Sequence, residues 1–479
     1  MNKLIYPKLK YSIFRFANLR RVGSFAKQKI PSRMLAVFLA FAIFFPVGSY
    51  GALNLELTKG VNAKIPLAVL PFAWQGNESS PPVNLAKIIR HDLALSGKFS
   101  LANVPNNSAA NLPNTVGKVD FSYWRKQGLN NLVIGQLQSQ GAGQYQLNYS
   151  LLNLFKNQQQ ITPTSSSDAA FNPQNNPVLA TKTLTVQKSQ LTMTAHQIAN
   201  QIYQQLTGSP GFFTTKIAYV LATKKPDDTI QYALNITNFD GTDTKTLLSS
   251  AQPIMSPSWS PDHQKLAYVS FQTGYSAIYT YNLANGNRRL LASYSGINGA
   301  PAWSPDGKSL AVVLSKSGNA NIYQLNLSNG RLTQLTTGFA GDTKPTWSPD
   351  GQSIAFTSNR SGTPQIYELN VASKKVTQIT HQGIYNADPA FSPVGNSIAY
   401  IHKKNGNFDI VLRDLSSGQS QYLTDGQEAN SPTFSPNGNL VLYSVLSNGI
   451  SQLAFVSINK EIQESLPPQK GDMVEPSWS

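Results

Sequence analysis

The sequence closes on "PSWS" (476–479), a phrase already used at 257–260 inside "SPSWSPDHQKLAYV" (256–269). Between the two lie "PAWSPDGKSLAVV" from 301, "PTWSPDGQSIAFT" from 345, "PAFSPVGNSIAYI" from 389 and "PTFSPNGNLVLY" from 432. The aromatic of the box falls at Trp259, Trp303, Trp347, Phe391, Phe434 and Trp478, in steps of 43 or 44 residues. Four short strands fit one such period: the box, an apolar strand such as Leu266-Ala267-Tyr268-Val269, a strand bearing an Ile-Tyr pair, and a last strand such as "LTQLT" (332–336). "SPDG" supplies a tight turn, with Pro where its fixed φ helps and Gly where the chain must bend back. A repeat of this length and content predicts blades of a β-propeller. The stretch 216–248 reads as strands two to four of a unit that lacks its own box. The terminal "PSWS" supplies the missing first strand, so five whole units and one split unit predict six blades. A ring clasped in this way leaves no open strand edge at its seam.

Composition agrees with a strand- and turn-rich fold: 41% of the 479 residues are hydrophobic and 13% charged, with 29 Pro and 33 Gly. The formal charge of +16 is unevenly spread. Nine of the 39 basic residues precede Met34, and no acid does. "MLAVFLAFAIFFPV" (34–47) and the small residues Ser49 and Gly51 follow, completing the pattern of a secretory signal peptide over 1–51. A retained anchor is the alternative, but fourteen residues rise about 21 Å as a helix against a hydrocarbon core of about 30 Å. Cleavage near Gly51 leaves 30 basic and 23 acidic residues, so the case for nucleic-acid binding falls away with the leader. The chain has no cysteine, which excludes disulfides, thiolate chemistry and Cys-bound zinc.

The region ahead of the repeats mixes strands and helices. "IPLAVLPFAW" (65–74) reads as a buried strand and "NLAKIIRHDLALSG" (84–97) as a helix ended by Gly97. "FSYWRKQG" (121–128) reads as a short helix leading to "NNLVIGQLQ" (130–138), and "GQYQLNYSLLNLF" with "VLATKTLTV" as a strand pair. "TAHQIANQIYQQLTG" (194–208) sets Ile198, Ile202 and Leu206 on one helical face. The polar stretch 156–177 reads as a surface loop. The organisation expected is a signal peptide (1–51), an N-terminal arm (52–64), a small N-terminal α/β domain (65–208) and a six-bladed β-propeller closed by the C-terminal strand (209–479).

Catalytic signals are wanting. There is no G-x-S-x-G elbow, H-E-x-x-H helix or P-loop, and His91, His196, His263, His381 and His402 stand scattered and unpaired in the sequence. No cofactor is expected. A cation shared by Asp388 and Glu475 is the alternative to carboxylates that face solvent or a partner, and is the weaker reading. Propellers without catalytic groups bind. The residues just before each box Pro, Ser256, Ala300, Lys344, Asp388, Ser431 and Glu475, reach the mouth of the channel, with Ile297 and Thr343 beside them.

Gly211, Phe213, Thr215, Lys216 and "IAYV" (217–220), together with "MSPSWSPD" (255–262), "NGAPAWSPDG" (298–307), "PTWSPDG" (345–351) and "LAVLPF" (67–72), carry a resemblance to the TolB family of the Tol–Pal system. The resemblance runs from the leader to the end of the chain. It implies a periplasmic, monomeric, non-catalytic adaptor, peripheral to membranes through its partners and serving envelope integrity and outer-membrane constriction at division. It also implies that the propeller channel holds the lipoprotein Pal, with the eight mouth residues above as the contact set. The mature N-terminal segment, Ala52, Leu53, Asn54, Leu55, Glu56 and Leu57, would engage the inner-membrane protein TolA. Its alternation of leucine with polar residues suits strand addition to a partner's sheet. Lys344 departs from the acid expected at that position. The reading from another class is an exported propeller hydrolase or lyase acting in the channel.

Overall fold

Apolar residues in alternation build the first layer. The computed structural model describes residues 64–104, 112–156 and 176–479; the leader, the arm at 52–57 and most of the 156–177 stretch lie outside them. Strands β1 (Ile65–Val69), β2 (Ala73–Gln75), β3 (Phe99–Leu101), β4 (Asn131–Gly141), β5 (Gln144–Asn153) and β6 (Val178–Gln187) form one mixed sheet in the order β3-β1-β4-β5-β6, with β2 extending the pairing on β4. The expected strand at 65–74 is therefore two, β1 and β2, with Pro71 between them. Proline removes the N–H that a continuous ladder would need.

Leu67 and Val69 face one side of the sheet, with helices α1 (Leu85–Leu95) and α3 (Leu191–Thr207). Ala68 and Leu70 face the other, with Trp124 of α2 (Phe121–Lys126). Asn84 caps α1 by accepting from the Lys87 N–H at 3.0 Å, and Asp120 caps α2 by accepting from the Tyr123 N–H at 2.9 Å. Helix α3 ends at Gly208, whose φ of 75° is the left-handed cap that a glycine takes most easily.

The described residues from Lys216 onward form six four-stranded antiparallel sheets. Blades one to five occupy residues 254–292, 298–334, 342–378, 386–422 and 429–465. Blade six is the split one: the terminal strand Asp472–Trp478 pairs with β7 (Lys216–Lys224), followed by β8 (Ile230–Asn238) and β9 (Lys245–Ser250). The register sets Trp478 opposite Ile217 and Asp472 opposite Ala222. Beyond the strand, Ser479 N–H donates to the Lys216 carbonyl at 2.8 Å, and Lys216 N–H donates to Ser479 Oγ at 2.7 Å. The inner strands touch in sequence around the ring, and the terminal strand meets that of blade one, Ile254–Trp259.

The box tryptophans stitch blade to blade. Trp303 Nε1 donates to the Ser258 carbonyl at 3.1 Å and Trp347 Nε1 to the Ala302 carbonyl at 3.1 Å. Trp259 Nε1 makes the same bond to the Ser477 carbonyl at 3.0 Å, across the seam where the two ends of the propeller segment meet. Phe391 and Phe434 have no such proton to give. Trp478 turns the other way and donates to Thr215 Oγ1 at 2.8 Å. In blades one, two, three and five the turn that follows the box is held by its own side chains. Ser304 Oγ donates to Asp306 Oδ1 at 2.6 Å and accepts the Ser309 N–H at 2.9 Å, while Asp306 Oδ1 accepts the Lys308 N–H at 3.1 Å.

The α/β layer sits on the face of blades five and six at which the inner strands end. An aromatic cluster of Tyr203, Phe212, Phe213, Phe239 and Trp478 fills the junction, and belongs to the same buried core as Leu67 and Ile89. Asn439 Nδ2 donates to the Tyr203 hydroxyl at 2.9 Å, and Lys64 pairs with Glu461 at 3.4 Å. Trp478 thus serves the closure and the junction together. Trp478→Ala is expected to remove about 3–5 kcal/mol and to lower the thermal midpoint by roughly 10 °C. Deletion of 476–479 should do more. Calorimetry on the two variants checks this, and a midpoint unmoved by the deletion would refute closure by the terminal strand.

Candidate partner-binding channel

Each inner strand carries the same irregularity. In blade one the register steps from Met255 opposite Val269 to Ser258 opposite Ala267, so three residues of advance meet two on the neighbour. The other five blades repeat it. The extra residue is in every case the one before the box proline. Ser256, Ala300, Lys344, Asp388, Ser431 and Glu475 have φ between 45° and 52°, the left-handed region that side chains other than glycine avoid by roughly 1–2 kcal/mol. A bulge with one residue in this conformation re-aims that side chain relative to an ordinary pleat. Six equivalent bulges make a ring of half-exposed residues near the start of the inner strands.

Three charged members of that ring meet. Lys344 of blade three extends its ammonium to 3.9 Å from Asp388 Oδ2 of blade four and 4.0 Å from Glu475 Oε1 of blade six, the blade opposite its own. These distances are ion pairs without direct hydrogen bonds. Glu475 is fixed through its other oxygen, which accepts the Ser256 N–H, and Asp388 N–H donates to Thr357 Oγ1 at 3.0 Å. Burial opposes the charge on Lys344, but Asp388, Glu475 and Tyr385 outweigh it, and its pKa is raised. Tyr385 is pushed up to about 12 by burial and by Asp388. The ammonium stands where a cation shared by the two acids would sit. Among the described residues no cluster of His, Asp or Glu has the arrangement of a metal site.

The sequence reading missed the surroundings of the mouth. The loops that join each blade to the next, and those between second and third strands, lie at this same end and bond to one another. Ile297 N–H donates to Ser315 Oγ at 2.7 Å, and Gly341 N–H to Asn359 Oδ1 at 2.9 Å. Ile297 is half-buried and Thr343 buried there. On the same loops, over blades one to four, Tyr275, Tyr294, Phe339 and Ile384 are exposed, Phe339 by 99% and Ile384 by 70%. Large apolar residues inside "TGFAGD" and "HQGIYN", where turns are ordinarily polar, are the signal that could have found them.

No histidine belongs to the ring, although His381 stands on a mouth loop and His402 beside it. His91, His263 and His381 are exposed, His263 at a φ of 56° in the turn where other boxes have glycine. His402 Nδ1 is 2.8 Å from Asn386 Oδ1. The expectation that all five are unpaired fails at His196, which is buried 2.7 Å from Asp92. A residue 104 positions away becomes a neighbour only when α1 packs on α3.

Removing Lys344 leaves Asp388 and Glu475 facing each other without a counter-charge. Lys344→Met should therefore destabilise the protein in low salt and far less in high salt, which screens the two acids from each other. Melting curves at the two salt concentrations check this. Equal losses at both would show that the ammonium does not hold the acids together.

Comparison with known proteins places this geometry. Residues 203–479 match the family model described as the TolB beta propeller domain, and residues 53–160 that of the TolB amino-terminal domain. The chain is 54% identical over 449 residues to the Tol-Pal system protein TolB of Coxiella burnetii, covering 93% of this chain and 98% of the relative. It is 50% identical over 430 residues to that of Nitrosococcus oceani, covering 90% and 94%. The crystal structure of TolB from Acinetobacter baumannii superposes with a TM-score of 0.73 at 33% identity, covering 87% of this chain and 98% of that one. The chain belongs to the TolB family of Tol-Pal system proteins.

Proposed function

We propose that this protein is a periplasmic, non-catalytic adaptor of the Tol–Pal system, holding the lipoprotein Pal at the channel mouth and TolA through the segment Ala52–Leu57. Family membership supports a place in that system. The observation that carries the Pal half is the ring of six bulges, which spends backbone strain on presenting side chains to one mouth. Strained residues gather where a structure must aim groups at something else. Around them Tyr275, Tyr294, Phe339 and Ile384 leave apolar area uncovered on one arc. A polar, specific centre beside aromatic and aliphatic anchors is the make-up of a protein-binding surface.

Lys344 sets the charge of that centre: one ammonium and two carboxylates. A partner that reaches them finds three N–H donors on Lys344 outside hydrogen-bond range of either acid, with acceptor oxygens beside them. In the arm Leu53, Leu55 and Leu57 alternate in sequence with Asn54 and Glu56, the pattern that strand addition to TolA's sheet edge calls for.

The mature chain titrated with the soluble domain of Pal should give saturable binding. Phe339→Ala and Lys344→Glu are each expected to weaken it about tenfold or more, with TolA binding retained. Removal of 53–57 should do the reverse. No Pal binding by the intact chain, or turnover of a sugar or peptide substrate in the channel, would overturn the adaptor reading.

A further inference from the structure

Far from the channel, three titratable groups from three elements meet where the α/β layer rests on blade six. His196 of α3 and Asp92 of α1 have side chains 1% and 0% exposed, with Nδ1 2.7 Å from Asp92 Oδ2. Asp240, in the turn between β8 and β9, brings Oδ2 to 3.8 Å from His196 Nε2. Phe239 closes the imidazole off edge-on, its ring centre 5.5 Å away. His196 Nε2 and Asp92 Oδ1 have no hydrogen-bond partner. Charged groups inside an apolar junction oppose its docking unless they are compensated.

The free nitrogen defines two states. A neutral imidazole that donates from Nδ1 to Asp92 turns the Nε2 lone pair toward the Asp240 carboxylate, and the contact is repulsive. A protonated imidazole presents an N–H there, and the same contact becomes attractive. We propose that His196 is a proton-operated latch between the α/β domain and the propeller: its imidazolium ties Asp92 to Asp240 of blade six, and its neutral form releases that turn.

The other charged groups facing the cluster are few. His91 of α1 is exposed beside Asp92, and Lys216 of β7 is held by Asn238 Oδ1 at 2.8 Å. Glu464 of blade five lines, with His91 and Asp240, an adjoining cavity of about 270 Å³. Burial lowers the pKa of His196, but the Asp92 hydrogen bond and charge, joined by Asp240, outweigh it and the net shift is upward. Asp92 is pushed up to about 6, by burial first, with Asp240 adding and His196 opposing. Both groups thus bind protons more tightly in the folded, docked state. Their contribution is complete below the unfolded values and is lost as pH rises through the folded ones. The junction is held more firmly in mild acid than above neutrality.

Hydrogen exchange on the full mature chain reads this directly, at about pH 6 and pH 8.5 with intrinsic rates corrected. Amides of 239–242 and of α1 should lose about tenfold in protection at the higher pH, while blade three is unchanged. Asp240→Asn, at a turn on the edge of the junction, should flatten that response. His196→Asn should show the low protection at both pH values. A wild-type response that survives Asp240→Asn overturns the latch, as does a wild-type junction indifferent to pH. If the histidine variant does not fold, the imidazole's own titration by NMR decides: a midpoint at or below that of an ordinary histidine overturns the proposal without any substitution.

Discussion

The hydrogen bonding of the terminal strand Asp472–Trp478 to β7 is the constraint on which the rest depends. Blades one to five are contiguous in the chain and could stack on one another in an open arc. Only the pairing of two segments some 250 residues apart converts the arc to a ring with a channel. Side-chain bonds at two points assist the backbone there: Trp259 to the Ser477 carbonyl across the seam, and Trp478 to Thr215. Because Trp478 also packs on Phe212 and Phe455, the residue that closes the ring helps seat the α/β layer. Closure and domain docking therefore draw on one buried indole.

Closure in turn makes the bulges useful. A left-handed residue before proline is unfavourable in isolation, and it persists because both flanking strand segments are already paired. In an open arc, Lys344 and Glu475 would sit on remote blades. In the ring they face one another across the channel, and Lys344 sits between two acids. The electrostatic centre of the proposed Pal site is thus a product of the clasp, as is its position on the face opposite the α/β layer.

Those two faces divide the labour of the molecule. The channel mouth is half-exposed, strained and rimmed with exposed apolar side chains. The opposite face is dry, aromatic and continuous with the core of the α/β sheet, except for the Asp92–His196–Asp240 cluster. A junction otherwise held by packing acquires there a contact whose sign depends on one proton.

The sequence by itself determined the blade count, the split blade and the helices α1 and α3, because each is written in a local pattern. A 44-residue period, a box missing at one end and supplied at the other, and apolar residues at helical spacing all reflect backbone periodicities that neighbours in the chain enforce. The break between β1 and β2 was legible too, in Pro71, and was overlooked. His196 gave a partial sign by falling on the buried face of α3 beside Ala195 and Ala199. Its partner could not be read, since Asp92 lies on another helix and Asp240 in another domain. The tertiary structure alone decided which charges meet: Lys344 with Asp388 and Glu475, His196 with Asp92 and Asp240. Coulombic contacts and burial depend on distance in space, and separation along the chain carries almost no information about that once a sheet or a ring has folded.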